Sequence, residues 1–256
     1  MGREEQSPNS LTVALANEFA LQAMMCSRAY VREQDRTHFP VEDLGWKKVS
    51  LEGEAVPPDQ NSYTPKSAVG RTLSSLQFDV WENNASLETI IAFKGTDERI
   101  DWLVGNLAVG ISIPYKSAKK HVRFYRQKFP ERQVSLTGHS LGGGLALSVS
   151  VWEGLDAIVF NTSPRIFDGW RNMNKPAKRK ALFQQKDILQ SIRAIYPKFL
   201  KKIPSNDIIR TNFDYRGENA HRADLLAEGI LRKADLPAYG QIAKTIPEKV
   251  FGELPN

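Results

Sequence analysis

The segment Gly138-His139-Ser140-Leu141-Gly142 has the pattern G-x-S-x-G, in which a single serine stands between glycines. One apolar run precedes the pattern and another follows it, so it predicts a tight turn between a buried strand and a helix. Such a turn exposes the serine hydroxyl above the sheet, and the start of the helix offers backbone N–H groups to an oxyanion. Glycine at 138 and 142 leaves room for neighbouring backbone. Ser140 is therefore the candidate nucleophile for acyl transfer.

A serine hydroxyl needs a general base, which is most often a histidine. In proteins that carry a nucleophile on such a turn, the catalytic residues follow along the chain in the order serine, acid, histidine. Of the four histidines, His221 alone follows Ser140. We expect His139 to pack away from the nucleophile and His121 to face solvent. His38 is expected in a loop with no role in the reaction.

The acid that orients the histidine should lie at the carboxyl end of a strand. Five aspartates lie between the nucleophile and the base: Asp156, Asp168, Asp187, Asp207 and Asp214. Asp187 is favoured because it follows the strand-like "KALFQQK" and precedes a helical segment, and nearby basic residues would keep it ionised. Asp214 is close to His221 in sequence and is an alternative. Asp207 and Asp168 also stay open, whereas Asp156 begins a strand and lies at the wrong end.

The elements that must position these residues alternate between strands and helices. The segments "SLQFDVWE" and "LETIIAFK" predict a hairpin connected by "NNAS". Further buried strands are expected at "QVSLTG", "DAIVFNT", "ALFQQ" and "IIRTNF". Helices are expected at "SLTVALANEFALQAMMCSRAYV", with Ser10 as N-cap, and at "YKSAKKHVRFYRQKF", "SLGGGLALSVSVWEG", "DILQSIRAIYPKFLKK" and "AHRADLLAEGILRKA". The alternation predicts a single α/β domain over residues 1–256, with a mostly parallel sheet, helices on both faces and an antiparallel hairpin at one edge.

Composition limits the class of protein. The single cysteine, Cys26, excludes an internal disulfide, and no apolar run reaches the roughly 18 residues of a membrane span. The first residues lack the features of a cleavable signal peptide, so we expect a cytoplasmic protein or one secreted by a signal-independent route. The net charge is +6, but residues 165–202 hold eleven Lys or Arg and two Asp. This segment suits a phosphate-bearing partner, or it is an ordinary solvated face.

Three segments together resemble the class 3 lipases: "IIAFKGTDERIDWL", "SLTGHSLGGGLALSVS" and "VFNTSPRI". The resemblance implies the α/β-hydrolase fold and points to a bacterial-type lipase or phospholipase A branch. It implies that Thr96 and Leu141 form the oxyanion hole, and that residues 97–114, which include Trp102, form a lid. In "FNTSPRI" this sequence has Asn161-Thr162 where the family usually has glycine.

The sequence therefore predicts a serine carboxylic ester hydrolase that acts on lipid or phospholipid at a membrane or micelle surface. No metal or cofactor is expected, because no His/Asp/Glu ligand motif is present. One alternative is an acyltransferase or thioesterase with the same triad. Another is a non-catalytic basic binding protein on a hydrolase scaffold, although a nucleic-acid partner is disfavoured. The sequence identifies no accessory or secretion partner.

Overall fold

The computed structural model describes residues 9–30, 35–65, 76–95, 113–168, 172–190, 193 and 202–254. Within these ranges the centre of the fold is one eight-stranded sheet. Its strands are β1 (Asn9–Ser10), β2 (Lys47–Val49), β3 (Phe78–Asn83), β4 (Glu88–Phe93), β5 (Gln133–His139), β6 (Ala157–Phe160), β7 (Arg179–Gln184) and β8 (Ile208–Thr211). The strand order across the sheet is β1-β8-β7-β6-β5-β4-β3-β2.

Most of the sheet is parallel. Pairing from β4 through β5, β6, β7 and β8 to the short β1 is parallel throughout. Strands β3 and β4 form the expected antiparallel hairpin, with Phe78 opposite Phe93, and β2 pairs antiparallel with β3 at the sheet edge. The carboxyl ends of the parallel strands therefore meet at one edge, which is where α/β sheets place their ligands.

Helices cover both faces of the sheet. They are α1 (Val13–Arg28), α2 (Ile113–Lys128), α3 (Leu141–Glu153), α4 (Ala223–Lys233) and α5 (Pro237–Thr245), numbered over the described residues. Helix α1 packs against α4 on one face, and α2 packs against α3 on the other. No helix in the described part of the chain is long and apolar enough to cross a membrane.

Two hydrophobic clusters fill the space between the sheet and its helices. Adjacent residues of one strand contribute to opposite clusters: Ile90 belongs to the α1/α4 side and Ile91 to the α2/α3 side. This division follows from the period of two along a strand, which turns successive side chains to opposite faces. The mostly parallel sheet covered on both faces confirms the predicted fold class.

Some details differ from the sequence-based expectations. Helix α1 is capped by Thr12, whose side chain accepts a hydrogen bond from the Leu15 N–H, because Ser10 is paired in β1 and cannot serve as N-cap. His121 is half-buried instead of solvent-facing, since its ring lies 4.1 Å from the ring of Tyr63. The helix expected from "DILQSIRAIYPKFLKK" falls mostly outside the described residues.

Candidate active site

The turn between β5 and α3 carries Ser140 at the carboxyl edge of the sheet. Ser140 has φ 57° and ψ −127°, a backbone conformation that non-glycine residues rarely adopt. Backbone hydrogen bonds hold it there, because its N–H donates to the Phe160 carbonyl at 3.1 Å and its carbonyl accepts from the Ser163 N–H at 3.0 Å. The chain after β6 thus fixes the turn after β5.

The glycines of this turn are required by close packing of backbone against backbone. A Cβ added to Gly142 would lie 2.1 Å from the Phe93 carbonyl oxygen at the end of β4. A Cβ added to Gly138 would lie 2.3 Å from the carbonyl oxygen of Gly142. Neither backbone neighbour can move as a side chain could, so any larger residue at these two positions would displace the turn itself.

Ser140, His221 and Asp187 lie in hydrogen-bond contact in that order. The Oγ of Ser140 is 2.8 Å from His221 Nε2, and His221 Nδ1 contacts the Oδ1 of Asp187. The Asp187 side chain is fully buried, whereas that of His221 is 16 % exposed. The structure therefore brings together the three residues that the sequence favoured, in the geometry of a nucleophile, a base and an orienting acid.

The other four aspartates have different partners. Asp156 accepts the Lys178 N–H, Asp168 pairs with Lys202, Asp207 lies in a short 3₁₀ helix before β8, and Asp214 accepts the Arg216 N–H. The loop that holds Asp214 also pairs with the C-terminal segment, because Asp214 donates to the Gly252 carbonyl. The closeness of Asp214 to His221 in sequence thus does not bring its carboxylate to the imidazole.

Arg193 holds the second oxygen of Asp187, a contact that the sequence analysis missed. One guanidinium nitrogen donates to Asp187 Oδ2 at 2.5 Å, and the other donates to the Thr162 carbonyl at 3.0 Å. The guanidinium also lies 4.2 Å above the Phe183 ring. Burial lowers the pKa of Arg193 and the contact with Asp187 opposes that shift, so the side chain stays cationic. The buried carboxylate therefore lies between one permanent cation and the imidazole.

The buried side-chain amides of Asn161 and Gln184 fix the loop that carries His221. The Asn161 side chain donates to the Ala220 carbonyl at 3.2 Å and accepts the Gln184 N–H at 2.8 Å. The Gln184 side chain bonds both backbone groups of Phe213, at 3.0 and 3.1 Å. Asn161 has φ 41°, a region that glycine enters without strain. Asn161, which stands where the resembling family usually has glycine, thus keeps the backbone turn. Its side chain also adds a contact next to His221.

His139 is a packing residue, as expected, and it also contacts a tyrosine. Its Nδ1 is 3.0 Å from the Tyr30 hydroxyl, which accepts the Gly95 N–H at 3.2 Å. Burial, with the neighbouring His221 and Arg36, holds the pKa of His139 well below its usual range. His139 is consequently neutral near pH 7 and adds no positive charge beside His221, although the two ring centres are 4.8 Å apart.

One of the two expected oxyanion donors can be placed. Leu141 is the first residue of α3, so its N–H has no acceptor within the helix and lies directly after the nucleophile. Thr96 and residues 97–112 of the expected lid lie outside the described residues. Gly95, the residue before Thr96, is so close to the turn that a Cβ added to it would lie 3.0 Å from Ser140 Cβ.

Among the described residues, no group of three or more His, Cys, Asp or Glu side chains is arranged to hold a metal ion. The groups that the structure places at this edge of the sheet are a serine hydroxyl, an imidazole, a buried carboxylate and backbone donors. This set of groups is suited to nucleophilic attack on an acyl carbon.

Among the comparisons with known proteins, the family match agrees with this chemistry. Residues 21–192 match the family model of the Tle-like phospholipase domain, a range that includes Ser140 and Asp187 and ends before His221. None of the curated proteins matches the chain significantly. Among solved structures, the chain is similar to the Lip2 lipase from Yarrowia lipolytica, with 13% identity over 74% of this chain and 77% of that chain and a TM-score of 0.47.

It is also similar to lipase II from Rhizopus niveus, with 15% identity over 80% of this chain and 81% of that chain and a TM-score of 0.48. The Rhizomucor miehei lipase, solved as a propeptide complex, gives 15% identity, 77% and 69% coverage and a TM-score of 0.46. The family match spans well over half of the chain. The chain therefore belongs to the family of Tle-like phospholipase domains and is a serine hydrolase of the lipase and phospholipase type.

Proposed function

We propose that the protein is a phospholipase A that uses Ser140, His221 and Asp187 as its catalytic triad. The observation that carries the proposal is the continuous contact from Ser140 Oγ through the His221 ring to the buried carboxylate of Asp187. The backbone strain at Ser140 supports the same assignment, because strained nucleophiles cluster at catalytic turns. The family match supports a phospholipid as the substrate.

The reaction proceeds through an acyl-enzyme. Ser140 Oγ attacks the acyl carbon as His221 Nε2 takes its proton, and the Asp187 carboxylate stabilises the imidazolium. The N–H of Leu141 and donors of Thr96 hold the oxyanion. Collapse of the tetrahedral intermediate breaks the ester C–O bond, and His221 returns the proton to the leaving lysophospholipid oxygen. Water, deprotonated by His221, then attacks the acyl-enzyme and releases the fatty acid and Ser140.

Ser140→Ala tests the nucleophile. We expect hydrolysis of short p-nitrophenyl esters and of phosphatidylglycerol to fall by roughly 10⁴-fold or more, because the attacking oxygen is absent. Circular dichroism and the thermal midpoint should match those of the unmodified protein. Products of the active protein, identified by mass spectrometry, should be a fatty acid and a lysophospholipid in equal amounts. Ester turnover that persists in the folded variant would eliminate Ser140 as the nucleophile.

The same product analysis separates the alternative functions. An acyltransferase would form a new ester when an alcohol acceptor is added, at the expense of free fatty acid. A thioesterase would prefer an acyl thioester over the oxygen ester with the same acyl chain. A non-catalytic binding protein would release no product from any of these substrates and would not react with serine-directed phosphonates.

The basic segment at residues 165–202 supports an anionic lipid surface as the place of reaction. Some of its cations are engaged in ion pairs: Lys180 with Glu18, Lys202 with Asp168, and Arg193 with Asp187. Lys175, Lys178 and Lys186 are exposed. We expect faster hydrolysis on anionic than on neutral vesicles at low salt, by about 3- to 10-fold, and loss of the difference in high salt. Equal rates on both surfaces would make this segment an ordinary solvated face.

A further inference from the structure

A cavity lies next to Tyr30, whose hydroxyl reaches the carboxyl edge of the sheet. We call it the arginine pocket, and its volume is about 220 Å³. The lining residues that matter for its chemistry are Ser27, Arg28, Tyr30, Arg36, Thr37 and Asp59. Since a water molecule occupies roughly 30 Å³ of liquid, the pocket has room for a phosphate group together with an ester substituent.

Two buried hydroxyls in this pocket have no hydrogen-bond partner within the part of the chain that the structure describes. They are Ser27 Oγ and Thr37 Oγ1, on residues that are only 4% and 6% exposed. A buried hydroxyl without a partner is destabilising, so such groups are rarely left unsatisfied in native proteins. Both hydroxyls can donate to an acceptor that enters the pocket.

The charge of the pocket favours an anion. Arg28 is buried, and Glu42 holds its guanidinium through two contacts of 2.8 and 2.9 Å, so this pair contributes little net charge. Arg36 adds a second guanidinium, which lies 4.1 Å above the Tyr30 ring. The buried Asp224 carboxylate behind Thr37 is paired with Arg222. Asp59 is the carboxylate among the lining residues, and it is exposed to water. An arginine beside two hydroxyl donors matches the acceptors of a phosphate group.

The pocket is connected to the catalytic residues on two sides. The Tyr30 hydroxyl contacts Gly95, just after β4, and His139, which belongs to the nucleophile turn. The Thr37 N–H donates to Asp224 Oδ2 at 3.1 Å, in the first turn of α4 and three residues after His221. The pocket is therefore linked through Tyr30 to the nucleophile turn and through Thr37 to the helix that follows His221.

We propose that the arginine pocket binds a phosphate group, held by Arg36, Ser27 and Thr37. The phosphate comes either from the headgroup of the lipid substrate or from a soluble phosphate compound. The headgroup source rests on the proposed phospholipase function, whereas binding of phosphate itself does not.

Direct binding is the first test, and full-length Ser140→Ala protein makes it independent of turnover. Inorganic phosphate and sn-glycerol 3-phosphate are titrated calorimetrically at low salt, and we expect saturable binding at one site. Arg36→Gln should weaken it at least about 10-fold, because a charge-assisted contact is lost. Thr37→Val removes the hydroxyl but keeps the N–H bond to Asp224, and it should weaken binding by about 3- to 10-fold.

Arg126→Gln is the matched control, because it removes the same charge from an exposed residue of α2, away from the pocket. Its phosphate affinity should stay within about twofold of the parent. The proposal is overturned if the parent protein shows no saturable binding, or if neither Arg36→Gln nor Thr37→Val weakens it. The Thr37 variant keeps the test valid if Arg36→Gln fails to fold.

Turnover identifies the source of the phosphate. We compare phosphatidylglycerol with diacylglycerol of the same acyl chains, in the same neutral micelles and without the Ser140 substitution. If the pocket holds the lipid headgroup, Arg36→Gln raises KM for phosphatidylglycerol at least about 10-fold more than for diacylglycerol. If it holds a soluble phosphate, Arg36→Gln affects the two lipids equally, and added glycerol phosphate changes both rates in the parent protein. Each of these two patterns supports a phosphate site. A protein that binds phosphate but hydrolyses no lipid would contradict the proposed phospholipase function and leave the phosphate site standing.

Discussion

The nucleophile turn, residues 138–142, and the acid turn, residues 185–190 with Arg193, are built by different means at the same edge of the sheet. Each contains a non-glycine residue with positive φ, Ser140 at 57° and Lys186 at 61°. Backbone packing against glycines fixes the first turn. In the second, side-chain contacts add to the backbone hydrogen bonds, because Gln190 accepts the Lys186 N–H and Arg193 holds Asp187. The first turn therefore tolerates no added atoms, whereas single side-chain contacts of the second can be changed one at a time.

The largest expected effect distinguishes the two candidate acids. Asp187→Asn should lower turnover by roughly 10⁴-fold, because the amide no longer holds the histidine tautomer that accepts the serine proton. Asp214→Asn is the matched control and should change turnover by less than about 10-fold, since Asp214 contacts Arg216 instead. Steady-state kinetics on a soluble ester measure both. A large loss of turnover in Asp214→Asn, with near-normal turnover in Asp187→Asn, would assign the role of the acid to Asp214.

The second prediction breaks the nucleophile turn by adding one methyl group. Gly142→Ala forces a Cβ into the Phe93 carbonyl, so we expect a loss of at least about 3 kcal/mol in the free energy of unfolding, together with loss of activity. Gly240→Ala is the control, because a Cβ added there in α5 meets no atom within 4 Å. It should stabilise the protein by about 0.5–1 kcal/mol. Similar denaturation midpoints for the two variants would show that the turn accommodates a side chain.

The third prediction sharpens the role of Arg193 in the acid turn. Arg193 and His221 contact opposite oxygens of the Asp187 carboxylate. Arg193→Gln removes the guanidinium, so Asp187 is less well oriented and kcat should fall by about 3- to 30-fold. Arg193→Lys keeps the positive charge beside Asp187 and should recover part of the lost kcat.

Recovery of kcat by lysine separates this electrostatic effect from a purely structural one. A structural role predicts equal losses of kcat in Arg193→Gln and Arg193→Lys. Steady-state kinetics on a soluble ester, with the thermal midpoint of each variant as the control for folding, distinguish the two cases.

The sequence predicted the fold and three residues that the structure brings together, because each had a local signal. Periodicity predicted β3, β4 and helices α1 to α4, but not α5, and the glycine pattern located Ser140. The order of residues along the chain then pointed to His221 as the base. Asp187 was favoured as the acid because it follows a strand.

Other features of the site left no local signal. Arg193 contacts Thr162, and Asn161 contacts Ala220, over separations that no periodicity reveals. Tyr30 belongs to a segment that the sequence describes only as helical, yet it contacts the end of β5. The error at His121 has the same cause, since its packing partner Tyr63 comes from a distant loop.

The central claim is that Ser140 is a nucleophile activated by His221. Its most direct test is a fluorophosphonate ester incubated with the folded protein, followed by mass spectrometry of the digested chain. We expect one phosphonate per chain, on the peptide that contains Ser140, with none in Ser140→Ala. In His221→Gln the labelling rate should fall by at least about 100-fold, because the general base is absent. An unlabelled Ser140 in active protein, a phosphonate on a different residue, or an undiminished rate in His221→Gln would contradict it.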